Sequence, residues 1–249
     1  FNRQTSGIGF MGMVYKSALT DLKVNTVTYG VQTTNTVNAL EYVGAAVGAM
    51  YGGTISGGLV TLSAKVNASK YTGGFVGYVG QGVVYNTQAL KVSSTTGSVQ
   101  GTSYTGGLAG WMEGVAAKSL NSDVPVNGGQ RTGGLIGYLN SDFTTANANV
   151  TTNSATLLTA SGAVVSTADR TGGLIGESTG GTLVLSNSSA SGTVNSANSY
   201  VGGLIGSAGT GTLSNIYVLN TSVTGGTYTG GVLGYGNMTS TNVHKVGNI

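Results

Sequence analysis

Arg131-Thr-Gly-Gly-Leu-Ile-Gly137 is one of six close copies of a seven-residue phrase. The others are Tyr71-Thr-Gly-Gly-Phe-Val-Gly77, Tyr104-Thr-Gly-Gly-Leu-Ala-Gly110, Arg170-Thr-Gly-Gly-Leu-Ile-Gly176, Tyr200-Val-Gly-Gly-Leu-Ile-Gly206 and Tyr228-Thr-Gly-Gly-Val-Leu-Gly234. Weaker copies occupy Tyr42 to Gly48 and Ser6 to Gly12. Copies recur about every 32 residues on average, a period that marks solenoids, propellers or arrays. They run along the whole chain without a break in composition, so residues 1–249 read as one repeat domain. Within it, 1–41 is a degenerate N-terminal coil, 42–236 holds the clear repeats and 237–249 is an incomplete terminal coil.

A second mark keeps step with the first. Val66, Val99, Val126, Val165 and Val223 each precede the first glycine of the next Gly-Gly pair by seven residues, and Val194 by eight. Between the marks lies a variable apolar pulse at Ile55, Val83-Val84, Val115, Leu183-Val184-Leu185 and Leu213. The apolar runs are short, rich in β-branched residues and bounded by Gly, Asn, Ser and Thr, which is the punctuation of strands and turns. Helix fits poorly, because glycine costs about 1 kcal/mol relative to alanine in a helix interior. The expectation is an all-β parallel β-solenoid of about eight coils, with roughly three short strands per coil.

In such a stack, equivalent positions of successive coils form ladders about 4.8 Å apart. The Leu/Phe position and the one four beyond it (Val79, Met112, Leu139) share a side by alternation and are assigned to the core. The residue after the last glycine (Tyr78, Trp111, Tyr138, Glu177, Ser207, Tyr235) faces outward. Simple alternation then sends the Ile/Val/Ala position outward too, which calls for a bulge or a turn at the glycines. The paired glycines Gly73, Gly74, Gly106, Gly107, Gly133, Gly134, Gly172, Gly173, Gly202, Gly203, Gly230 and Gly231 are read as structural corners. They permit φ > 0 and close approach of neighbouring coils. A phosphate loop would need a strand-to-helix context and usually a lysine, and neither follows these phrases.

The first phrase position makes a ladder of its own: Tyr42, Tyr71, Tyr104, Arg131, Arg170, Tyr200 and Tyr228. It reads as a corner ladder, with an aromatic strip for glycan contact as the functional alternative. Arg131 and Arg170 would be like-charged neighbours, to be offset by Asp169 or Asp142.

Composition narrows the chemistry. Charged residues make up 7% of the chain, against about 25% in a typical soluble protein. The net charge of +3 is thinly scattered, so no nucleic-acid footprint is expected. There is no cysteine and a single histidine, His244, beside Lys245. The acids are dispersed, so no metal site, cofactor or catalytic triad is expected. No apolar run is long enough for a membrane span. The chain begins at Phe1 and carries no leader-type segment, so it reads as a processed or excised form. A polysaccharide-degrading solenoid would draw its paired carboxylates from Glu113, Asp123, Asp142, Asp169 and Glu177, the catalytic alternative. Ice binding ranks lower. Thr72, Thr105, Thr132, Thr171 and Thr229 make one column flanked by Tyr or Arg, not a paired Thr-x-Thr face.

The Gly-Gly-Leu-Ile-Gly phrase, its glycine-rich turn and the later valine resemble the GLUG repeat of bacterial surface proteins. Those proteins include filamentous-haemagglutinin-like adhesins and secreted peptidases of the IgA-protease type. The resemblance covers about Tyr42 to Gly236 and brings no catalytic residue with it. It implies a non-enzymatic structural or adhesive segment, extracellular or on the cell surface. Its partners would be further copies of itself, through head-to-tail or strand-exchange assembly, the rest of a larger surface protein, or glycans.

Overall fold

The computed structural model describes residues 7–25, 41–80, 83–114, 116–140 and 152–249. Every strand pairing among them is parallel, and successive coils pair position for position apart from local register shifts, so the chain is a β-solenoid. Six turns contain every segment of the coil, while residues 7–25 and 229–249 add strands to either end of the same stack. The eight coils expected from the phrases are therefore about six complete ones.

The seven-residue phrase is not a single strand. Its first half lies in a seven-stranded sheet built from Glu41–Gly44, Lys70–Gly73, Ser103–Gly106, Gln130–Gly133, Thr171–Gly172, Val201–Gly202 and Thr229–Gly230. The second half, such as Val76–Gly80 or Ile136–Asn140, belongs to the larger sheet. A bend at the second glycine and the residue after it separates the two halves. This bend removes the alternation problem. Leu135 and Ile136 straddle the corner and are both fully buried, as are Phe75 and Val76.

The rest of each coil winds on through further corners. Ile175–Ser196 would span roughly 70 Å if straight, but left-handed residues at Gly180, Asn187 and Gly192 turn it back on itself. The corner at Asn187 repeats from coil to coil as Asp21, Gly57, Ser119, Leu157, Asn187, Asn215 and Asn242, all with φ between 48° and 69°. Asn and Asp tolerate this region best among non-glycine residues. Side-chain amides also tie the column together, with Asn215 Nδ2 donating to Asn187 Oδ1 (3.1 Å) and Asn242 Nδ2 to Asn215 Oδ1 (2.7 Å).

The core follows the expected ladders with one slip of register. Val66, Val99, Val126, Val194 and Val223 stack as foreseen, but their partner in the fifth coil is Val164, not Val165. Val164 is fully buried and Val165 is 40% exposed. One extra residue between that strand and the glycine pair moved the seven-residue count onto the wrong face. Among the pulses, Ile55, Leu183, Leu185 and Leu213 are buried. Val115 and the side chains of Val83 and Val84 lie outside the described residues.

Glycine is required at the phrase for space and not for backbone freedom. None of the described paired glycines of the six close copies has positive φ, which corrects that part of the expectation. A Cβ on Gly133 would lie 2.0 Å from Ile136 O and 2.7 Å from Gly176 N. One on Gly77 would lie 2.4 Å from the backbone nitrogen of Val43 in the preceding coil. Gly133→Ala is expected to cost roughly 3 kcal/mol, the upper end of overpacking penalties. Gly209→Ala, where a Cβ meets nothing within 4 Å, should stay within about 0.5 kcal/mol of wild type. Denaturant midpoints of the two variants check this contrast.

Candidate functional site

The left-handed backbone that the glycines do not take up falls on the residue at the head of each phrase. Tyr42, Tyr71, Tyr104, Arg131, Arg170, Tyr200 and Tyr228 all have φ between 52° and 66°. Such a conformation costs a non-glycine residue about 1–2 kcal/mol. Stacking, worth about 0.5–1.5 kcal/mol per pair, offsets much of it. Tyr42 and Tyr71 stack at 4.8 Å, Tyr71 and Tyr104 at 5.0 Å, and Tyr200 and Tyr228 at 5.2 Å.

A second ladder flanks the first across the glycine arc: Ala49, Tyr78, Trp111, Tyr138, Glu177, Ser207 and Tyr235. Its rings meet the first ladder edge-on. Tyr78 lies 5.4 Å from Tyr42, Trp111 4.8 Å from Tyr104, and Tyr138 5.6 Å from Tyr104. With Tyr51, which is 5.2 Å from Tyr78, seven rings form one connected cluster. Tyr200, Tyr228 and Tyr235 form a second.

Between the clusters sit the two arginines. Glu177, on the second ladder, takes Arg131 Nε on one carboxylate oxygen and Arg170 Nε on the other, the latter at 2.7 Å. Each guanidinium also caps a ring, Arg131 over Tyr104 and Arg170 over Tyr200. The acid that separates the like charges is therefore Glu177. Asp169 instead accepts the Ser199 backbone N–H at 3.0 Å, and Asp142 lies outside the described residues. Glu177 was expected to face outward; it does, but the arginines leave it only 6% exposed.

Two other candidate carboxylates are engaged too. Glu113 accepts the Tyr78 hydroxyl at 2.9 Å, and Asp123 holds the Ser94 N–H and Lys91. Glu113 and Glu177 lie two coils apart and in different ladders. His244 stacks on Tyr217 and shares a hydrogen bond with Asn242 Oδ1 at 2.8 Å. Among the described residues no group of three or more His, Cys, Asp or Glu could hold a metal ion, and no helix is long and apolar enough to cross a membrane.

Two surface readings change. Thr72, Thr105, Thr132 and Thr171 are fully buried, so that column cannot face ice. Thr132 and Thr229 donate their hydroxyls to Gly129 O and Gly226 O, each at 2.8 Å, whereas those of Thr72 and Thr105 are buried without a hydrogen-bond partner. In the tyrosine ladder the ring faces are taken up by neighbouring rings, leaving edges to solvent. A sugar packs on a ring face, so the corner reading is favoured over glycan contact for the inner rings.

Burial holds the Tyr78 hydroxyl far above the ordinary phenol range, and its bond to the charged Glu113 adds to the effect. Burial also raises Tyr138, Tyr42 and Tyr51. These phenols stay protonated in the fold while those of the unfolded chain ionise near pH 10. Their contribution is thus intact below about pH 10 and is lost as pH rises beyond it. Denaturant midpoints should fall steeply in that window, and Tyr78→Phe should flatten the slope. Glu177→Gln, which strands two guanidiniums, is expected to cost about 3 kcal/mol. Glu41→Gln, at the more open pair with Lys70, should cost under about 1 kcal/mol.

No family model, curated protein or solved structure matches the chain.

Proposed function

We propose that this chain is a non-enzymatic structural or adhesive rod, extracellular or at a cell surface, of the GLUG-repeat kind. The observation that carries the reading is the coil-to-coil destination of its side-chain interactions. Rings stack on the next coil's rings, amides on amides and Arg131 on the next coil's glutamate. Residues used in this way build length and stiffness. Specificity of adhesion would then reside on the outer columns and in the loops between strands.

Among the described residues, the outermost strands at the two ends of the stack pair on one side only. The column of Phe75, Leu108, Leu135, Leu174 and Leu204 runs on to Val232 in the last described coil. In the first coil, Phe10 donates its N–H to Ala45 O and is 63% exposed. In this reading the partner that extends the stack is the rest of a larger surface protein or a second copy joined head to tail. A heterologous contact of this type repeats without closing and yields filaments.

Analytical ultracentrifugation and electron microscopy of the 249-residue chain test assembly. End-to-end rods that lengthen with concentration are expected, and Phe10→Asp should shorten them. A compact monomer at every concentration would overturn self-assembly, leaving the remainder of a longer protein as the partner.

A further inference from the structure

We propose that the seven-ring cluster conducts one-electron oxidation along the rod, and that the Tyr78–Glu113 pair is where the oxidation comes to rest, as a neutral tyrosyl radical. The rings are close enough to exchange an electron directly. Trp111 lies 4.3 Å from Tyr138, 4.8 Å from Tyr104, 5.3 Å from Tyr71 and 6.4 Å from Tyr78, centre to centre.

Direction comes from what surrounds each ring. Trp111 Nε1 is buried with no hydrogen-bond partner, so an oxidised indole has no base to take its proton and passes the hole on. Arg131 sits 5.0 Å from the Tyr104 ring and 5.4 Å from that of Tyr138. Lys70 sits 4.8 Å from the Tyr71 ring. Both cations are ion-paired, with Glu177 and Glu41, so the direction rests on the proton acceptor and not on charge. The Tyr42 and Tyr51 hydroxyls lie near enough to perturb one another, and neither has a carboxylate as its hydrogen-bond acceptor among the described residues. Tyr78 alone in the cluster, among the described residues, donates its hydroxyl to a carboxylate.

The step balances. A one-electron oxidant, of the peroxidase-ferryl or ruthenium(III) polypyridyl class, accepts one electron from the cluster. The Tyr78 O–H bond breaks and a new O–H bond forms on Glu113 Oε2. The products are the reduced oxidant, a neutral Tyr78 radical and a protonated Glu113. An exposed rod built this way absorbs oxidising equivalents at a chosen residue.

Photogenerated ruthenium(III) tris-bipyridine, with persulfate as electron acceptor, supplies the hole to the intact chain. Transient absorption and electron paramagnetic resonance read where it goes. In the wild type an indole signal should give way to a single dominant tyrosyl signal. Tyr78→Phe should remove that signal and prolong the indole one. Glu113→Gln keeps every ring and so guards against a folding defect in the first variant. It should slow the conversion roughly a hundredfold, the low end of what a positioned base contributes. Tyr217→Phe, outside the cluster, should match the wild type. A tyrosyl signal of equal yield and rate in all four proteins would overturn the proposal, as would its loss in Tyr217→Phe.

Discussion

The structure depends on backbone meeting backbone at the glycine corner. Gly73 and Gly77, and their counterparts in each coil, stand where any side chain would strike a carbonyl or amide of the same or the neighbouring coil. With nothing to hold them apart, the two halves of the phrase close into a tight arc. That arc fixes where each half pairs, the first in the small sheet and the second in the large one. It also turns both central apolar residues of the phrase into the core. A ladder of identical close approaches explains why the phrase repeats almost letter for letter while the middle of each coil drifts.

Tight arcs displace strain onto the residue before them. A left-handed tyrosine is unusual, and seven such positions in a row would burden an isolated coil. Stacking makes them tolerable, because each strained residue gains a ring or a guanidinium from a neighbouring coil. The compensation is therefore collective. A single coil would carry the strain without the stack, in keeping with the nearest-neighbour stability of repeat arrays. The same ladders give the rod its one chemically distinctive face, with aromatic rings on both sides of an arginine–glutamate–arginine bridge.

Much of this was legible in the sequence. The phrase, its period and the valine mark led to a parallel solenoid, and Val79, Met112 and Leu139 fell on the core side as alternation required. What escaped was geometric. Counting residues back from the glycines chose Val165 over Val164, because loop length varies by one residue and alternation magnifies the slip. The role of Glu177 was missed because Arg170 and Glu177 are seven residues apart, and only the arc brings the head of the phrase beside the residue after its last glycine. Aligning the two columns would have placed Glu177 next to Tyr138 and Arg131. Nor could the threonine column be told from a surface strip, since a buried threonine that satisfies itself on the carbonyl three residues back looks the same in a sequence.

The central claim is the in-register stacking of coils, and cysteine pairs test it in a chain that has no cysteine of its own. Asn127 and Val165 are direct neighbours on the outer face of adjacent coils, while Val164 points into the core. Adjacent strands place such neighbours about 4.8 Å apart, within the span a disulfide bridges. Under mild oxidation, Asn127→Cys with Val165→Cys should cross-link quantitatively, and Asn127→Cys with Val164→Cys should remain reduced. Cross-linking of the second pair and not the first would contradict the register, and with it the stacked arcs on which the account rests.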